Sequence, residues 1–437
     1  MRAILGIIVL VGLAWLLSSN RKAINWRTVG GAFALQFLLA VLILKTPGVD
    51  QVFDWIARAF VKVISFTDFG SDFLLKSWML GEVEAPNAVE VPSGGKVGAG
   101  FYNFAFRILP TIVFFSALSA LMYYLGILQK VVYAFAWIMK RTLKLSGAES
   151  LSAAGNVFLG QTESPLLIRP FLKSMTKSEI MSMMTGGMAT IAGGVLASYV
   201  GFLGGDDEVQ KILFAKHLLA ASIMSAPAAI AAAKILVPET EKIDDRMEIA
   251  KDNMGTNVLE ALTNGTSEGL KLAVNVGAML LVFTALIYFG NYILFKVADP
   301  IGLNAWIAEN TAYDKLSFEM MLGYLGAPIA WLIGVSSDDA LLVGQLLGEK
   351  TILNEFYAYA TLGGMKADGL FTDQKSIVIA TYVLCGFANF ASIGIQIGGI
   401  GSLVPSRKGL LSKLGMRALI GGTLACLFTA AIAGMLV

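Results

Sequence analysis

Gly155 to Leu172 reads GNVFLGQTESPLLIRPFL, and it interrupts an apolar run that would otherwise pass for a plain membrane span. Gly160 to Pro165 place an amide, a carboxylate, two hydroxyls and two helix breakers between the flanks SLSAAGNVFL and LLI. An ionisable side chain in the bilayer interior costs roughly 2.5 to 3.5 kcal/mol on insertion scales, so it is retained where it faces a cavity, partner or substrate. Backbone unwound by Gly160 and Pro165 is tolerated at that depth only where protein or a watery cavity satisfies the freed groups. A span needs about 20 apolar residues, and neither flank supplies them, which disfavours an ordinary loop between spans. The stretch predicts a re-entrant hairpin of two half-helices with a polar tip near the membrane midplane.

The surrounding composition agrees. Of 437 residues, 56% are hydrophobic and 15% charged, with a mean hydropathy of +0.70. The formal net charge of +2, without a long basic run, gives no reason to expect a nucleic-acid partner. Cys385 and Cys426 stand apart in apolar stretches and indicate neither a disulfide framework nor a metal site. His217 is the single histidine, which excludes a His-rich metal centre; beside Lys216 it reads as a helix-end residue.

Toward the N-terminus, residues 3 to 18 lack a good small-x-small cleavage site and predict a first span rather than a signal peptide. Arg21, Lys22 and Arg27 precede a second span at 28 to 45, which puts that linker in the cytoplasm and the N-terminus outside. Residues 50 to 66 predict an interfacial amphipathic helix, and the acidic, Pro- and Gly-rich 82 to 98 an external loop. A third span covers Phe101 to Gly126, followed by a cytoplasmic amphipathic stretch carrying Lys130, Lys140, Arg141 and Lys144. After the hairpin come spans at 178 to 203 and 209 to 236, joined by the acidic turn Gly204 to Glu208 outside. Pro238 to Asn257 is densely charged and reads as a solvated cytoplasmic loop.

The remainder repeats the order. A span at 270 to 298 is followed by an interfacial helix within 299 to 334, then a second interrupted hairpin from Asp338 to Gly364 with Ile352 to Phe356 at its tip. Two more spans flank Arg407, Lys408 and Lys413, whose cytoplasmic position leaves the C-terminus outside. The expected fold is an all-α polytopic membrane protein with about eight transmembrane helices, two opposed re-entrant hairpins in an inverted repeat, and interfacial amphipathic helices. Its divisions are 1–100, the first repeat 101–236, a charged cytoplasmic loop 237–269 and the second repeat 270–437.

Each hairpin has a partner span interrupted by small or polar residues, Met183 to Tyr199 and Leu384 to Gly399. Small residues permit close helix packing, but that does not explain Asn389, Ser392 or Gln396. A cavity lined by Gln161, Thr162, Glu163, Glu355, Asn389 and Ser392 offers carboxylates that accept hydroxyl protons and amides that read a donor–acceptor edge. Phe387 supplies an aromatic wall, and the expected ligand is a neutral polyhydroxylated solute with an amide-like ring. Asn156 and Thr190, with carbonyls freed at the helix breaks, offer oxygens to a hard monovalent cation; capping the half-helix is the other reading of Asn156.

The runs GNVFLGQTESPLLIRPFL, TGGMATIAGGVLASY, ILNEF and CGFANFASIG closely resemble the concentrative nucleoside transporter family over roughly 100 to 437. The resemblance implies cation-coupled nucleoside uptake by a homotrimer in the cytoplasmic (inner) membrane, with a mobile transport domain moving in an elevator-like way. It places Gln161, Thr162, Glu163 and Val195 at the nucleobase of a uridine-like substrate, and Glu355, Asn389 and Ser392 on the ribose hydroxyls beside Phe387. It assigns sodium to Asn156 and Thr190 side chains and the Leu159 and Ile191 carbonyls, with Na+ as the coupling ion.

Three alternatives remain open at this point. Proton coupling would load Glu163 or Glu355, and a passive channel also admits opposed hairpins. An intramembrane aspartyl protease at Asp338 and Asp339 is disfavoured, since adjacent helical residues do not face each other.

Overall fold

The computed structural model describes residues 2–75, 88–90, 96–98, 104–205, 207–249 and 256–437. The chain opens with α1 (Arg2–Leu16), α2 (Trp26–Lys45) and α3 (Val49–Leu75). The acidic segment expected as an external loop lies outside the described residues except for a two-stranded antiparallel hairpin, β1 (Ala88–Glu90) with β2 (Lys96–Gly98). α4 (Phe104–Arg107) and α5 (Leu109–Tyr124) follow, and then α6 (Ile127–Leu143). α5 and α6 meet at 76°, because Gly126 takes a left-handed conformation (φ +73°) that a side chain would resist. α6 thus leaves the line of the span, burying Leu128, Val132, Ala136, Met139 and Leu143 while Lys130, Arg141 and Lys144 stay exposed.

The first hairpin comprises α7 (Gly147–Gly155) and the short α8 (Ser164–Leu167). Its partner span is broken into α9 (Lys177–Ala189) and α10 (Gly193–Gly204), after which α11 (Glu208–Leu236) runs unbroken. The second half begins with α12 (Val258–Ala298), so its first turns take in 258–269, expected as loop. α13 (Leu303–Asn310) and α14 (Phe318–Leu332) come next, then the second hairpin, α15 (Ala340–Ile352) and α16 (Glu355–Ala367). The chain ends with the broken pair α17 (Gln374–Leu384) and α18 (Phe390–Leu403), and α19 (Lys408–Leu436). Among the described residues, five stretches are long and apolar enough to cross a membrane: α2, α9–α10, α11, α12 and α19 with their flanking turns. The shorter α1 and α5 and the broken α17–α18 complete the expected set, in a multi-pass membrane architecture that is helical apart from the β1–β2 hairpin.

Burial separates the helices. α11 has 94% of its apolar window inside the protein, whereas α12 has 17% of its own buried and exposes Leu270, Val274, Leu281, Leu286 and Phe289. Small residues set the closest packing. Gly265 and Gly269 bring α12 onto Ala120, Ser116 and Val113 of α5. Gly323, Gly326, Gly344 and Gly348 bring α14 onto α15. A Cβ on Gly344 would lie 2.5 Å from the Ala327 nitrogen, and backbone cannot step aside as a side chain can. Gly344→Ala is expected to destabilise the protein by about 1 to 3 kcal/mol, read as a lowered thermal midpoint in detergent.

Three readings are corrected. His217 is not at a helix end: it lies inside α11, buried, with Nδ1 3.2 Å from the Tyr382 hydroxyl. Residues 299–334 do not form one interfacial helix; α14 packs along α15 as part of the second hairpin's support. The charged segment after α11 is not a freely solvated loop over its described part. The Gly147 N–H donates to the Asp244 carbonyl (3.2 Å), Thr176 donates to Glu239 (2.7 Å), and Glu239 also pairs with the buried Lys234 of α11 (3.7 Å). The segment is therefore fastened across the base of the first hairpin.

Candidate functional site

Local chemistry explains where the helices stop. Ser146 caps α7 by accepting from the Glu149 N–H (3.1 Å), and every residue of α7 is buried. The turn from 156 to 163 follows, closed by Ser164, whose hydroxyl donates to the Ser152 carbonyl (3.0 Å). The Glu163 carboxylate folds over Gly160, into the space a Cβ would take, so a side chain there would push the carboxylate aside. In the second hairpin Asn354 caps α16 by accepting from the Tyr357 N–H (2.9 Å), making Glu355 its first residue. Asn389 caps α18 the same way, accepting from the Ser392 N–H (2.9 Å). Ahead of it Gly386 (φ +148°) passes so close that a Cβ would lie 2.8 Å from Ala189 backbone and the Cys426 sulfur.

These breaks meet at a 440 Å³ cavity. Gln161, Thr162, Glu163, Val195, Glu355, Phe387, Asn389 and Ser392, the residues expected at a substrate, all line it. Asn354 joins them, and α12 contributes Leu272, Asn275, Val276 and Met279, none of which the sequence reading included. Asn275 was the available signal, a lone amide in the apolar run KLAVNVGAML.

The polar groups are held by one another. The Asn389 amide donates to Glu355 Oε2 (2.8 Å) and the Tyr199 hydroxyl donates to Glu355 Oε1 (3.2 Å). A carboxylate has about four acceptor positions, so room remains for two ligand hydroxyls. Tyr199, stacked on Tyr359 with centroids 4.3 Å apart, was not legible in the sequence. Tyr199→Phe is expected to weaken ligand affinity about three- to tenfold, the worth of one ordinary hydrogen bond, with the protein still folded; titration of binding checks it. Gln161 Nε2 donates to Ser392 Oγ (3.1 Å), and Gln396 Nε2 donates to Gln161 Oε1 (3.1 Å). Lys350, fully buried behind Glu355, donates to the Val383 carbonyl (2.8 Å) and does not line the cavity.

The cation candidates lie beside this cavity. Both side-chain polar atoms of Asn156 are buried without a protein partner, so the amide is not spent on capping. A Cβ on Gly186 would come 2.8 Å from the Asn156 nitrogen, and the Thr190 hydroxyl donates to the Gly186 carbonyl (2.9 Å). The Gly193 N–H donates to the Phe158 carbonyl (3.2 Å), joining the hairpin turn to the break that contains Ile191. An orphaned amide oxygen, a hydroxyl and backbone carbonyls, including that of Leu159 in the same turn, fit a hard monovalent cation. Among the described residues no group of three or more His, Cys, Asp and Glu side chains is arranged to hold a metal.

Three family models match the chain. Residues 5–78 match "Na+ dependent nucleoside transporter N-terminus", 105–206 match "Nucleoside recognition" and 217–434 match "Na+ dependent nucleoside transporter C-terminus". The chain is 41% identical over 439 residues to an uncharacterized transporter of Haemophilus influenzae, covering 97% of it. It is 40% identical to solute carrier family 28 member 3 of Rattus norvegicus, with 99% of this chain aligned but only 58% of that protein's length spanned. The structure is similar to CNTnw in an inward-facing substrate-bound state, with a TM-score of 0.86 at 37% identity, covering 100% of this chain and 98% of that one.

Proposed function

Starting from a chain that belongs to the Na+ dependent nucleoside transporter family, we propose that it is a secondary active symporter importing nucleosides across the cytoplasmic membrane, driven by a sodium gradient. The observation that carries this reading is the cavity where both hairpin tips and both broken spans converge, with the orphaned Asn156 amide alongside. Glu355, Asn389 and Ser392 hold ribose hydroxyls, Gln161, Thr162 and Glu163 read the base with Val195 beside it, and Phe387 forms the adjoining wall. Sodium sits among Asn156, Thr190 and the Leu159 and Ile191 carbonyls. Relatives named sodium/nucleoside cotransporter 1 support the same pairing of ion and substrate.

The transport cycle is elevator-like. The cavity is lined by α12 together with the two hairpins, α10 and α18, and in this reading α12 belongs to a fixed scaffold and the hairpins to the moving domain. The assembly is a homotrimer, and both termini lie outside. The two inverted repeats, 101–236 and 270–437, organise the chain around the loop 237–269.

A second reading, proton coupling, is favoured by one observation: Glu163 Oε2 is buried without a hydrogen-bond partner. Radiolabelled uridine uptake into proteoliposomes tests both. Accumulation with an inward sodium gradient and none in choline is the expected result. Uptake in choline that follows a proton gradient would move the ion from Asn156 to Glu163, and equilibration without accumulation would make the protein a passive pore.

A further inference from the structure

Resting on the sodium-coupled reading, we infer that the Lys234 ammonium plugs a buried polar seam leading from the cation candidates to the base of the first hairpin. The plug keeps sodium from passing without nucleoside.

The seam runs between α7 and α9, which pack along each other. Residues three and four apart share one face of a helix, and on α7 that face carries Glu149, Ser152 and then Asn156 just past the helix end. On α9 the matching row is Ser178, Ser182 and Gly186. The two rows meet at both ends. Asn156 lies against Gly186 at the inner end, and Glu149 and Ser178 share Lys234 at the base. From Glu149 to Asn156 the helix rises about 10 Å. Between the ends stand the Ser152 and Ser182 hydroxyls, both buried without a protein partner. Ser150, by contrast, spends its hydroxyl on the Ser146 carbonyl one turn back (2.8 Å). Buried hydroxyls are served by protein or by water, so the seam is a wettable strip inside an apolar core.

Lys234 closes the base of this strip. From within α11 its ammonium pairs with Glu149 (2.8 Å), donates to Ser178 Oγ (3.0 Å) and has Glu239 at 3.7 Å. Ser178 gives its own hydrogen to the Val237 carbonyl (2.7 Å), leaving its oxygen to the ammonium. The ammonium thus holds the carboxylate and the hydroxyl that a cation leaving the seam would need next, and it repels that cation. A buried ion pair adds little stability over apolar packing; sealing the seam gives this one a use that packing does not supply. Lys234 does not line the cavity and acts on coupling alone.

The test is entry of radioactive sodium into proteoliposomes holding the full-length protein, without nucleoside, alongside uridine accumulation. Wild type should admit sodium slowly. Lys234→Ala should raise that rate about tenfold or more, the effect of lifting a like charge from within about 10 Å of the path. Uridine accumulation should fall at the same gradient while the uridine KM is kept. Adding Ser152→Ala and Ser182→Ala to Lys234→Ala should return sodium entry to the wild-type rate, because the seam is then apolar. The two serine substitutions alone should leave uptake unchanged, since neither hydroxyl has a protein partner. Glu149→Gln keeps the shape but frees the ammonium, and should leak as well.

Wild-type sodium entry in both Lys234→Ala and Glu149→Gln overturns the inference, and Glu149→Gln alone decides it if Lys234→Ala does not fold. A leak that persists once the serines are replaced also overturns it, since the ion would be passing elsewhere. Wild type whose uridine uptake ignores sodium overturns the sodium reading itself, a separate result.

Discussion

Glu355→Gln should lower uridine uptake by about 100-fold or more, because two charge-assisted hydrogen bonds to ribose hydroxyls are lost at roughly 1.5 to 3 kcal/mol each. The amide replaces an acceptor-only group with one that has a single acceptor oxygen. Asn389 and Tyr199, both donors to the carboxylate, would compete for that oxygen, and the new NH2 would oppose whichever of them loses. The specific check uses 2′- and 3′-deoxyuridine. In wild type each missing hydroxyl should weaken uptake; in the variant that penalty should shrink, since the partner of the hydroxyl is already gone. A variant with wild-type KM, or an undiminished deoxy penalty, would remove Glu355 from the ribose site.

Asn156→Ala should raise the sodium concentration needed for half-maximal uptake by at least about tenfold, as expected when a ligand oxygen worth more than 1.4 kcal/mol is lost. Thermal stability supplies the sharper contrast. In wild type, sodium a hundredfold above its dissociation constant should stabilise the folded protein by about 2.7 kcal/mol. The variant should lose that sodium-dependent rise in melting temperature. Without sodium it should be no less stable than wild type, because both polar atoms of the Asn156 side chain are buried without a protein partner and an unpaired buried amide is itself a cost. A large loss of stability in sodium-free buffer would make Asn156 a structural residue.

Much of the site was legible because polarity inside an apolar chain is costly and therefore conspicuous. Gly160 to Pro165, Asn354–Glu355 and Asn389 each marked a place where a helix stops, and the breaks lie there. One cause of failure is the membrane itself. In a membrane the exterior is as apolar as the interior, so periodicity cannot say which apolar face is buried. α11 and α12 are both long and apolar, yet one lies almost wholly inside and the other is largely exposed; the contribution of Leu272, Val276 and Met279 to the cavity was invisible for that reason. His217 was misread from its charged neighbour Lys216, when its own partner, Tyr382, is distant in sequence. The charge of 237–249 suggested solvent, but its backbone carbonyl at Asp244 is taken by Gly147.

The turn from Asn156 to Glu163 carries the proposed ion ligand at one end and the proposed base ligand at the other, and the Phe158–Gly193 bond stitches it to the break that holds Thr190 and Ile191. With so short a tether, ordering one end restricts the other. Sodium bound first would raise nucleoside affinity, and reciprocity requires nucleoside to raise sodium affinity by the same factor. A carrier built this way resists slippage: with either passenger missing the turn stays loose, the occluded form is rarely reached, and the gradient is not dissipated by empty or half-loaded crossings.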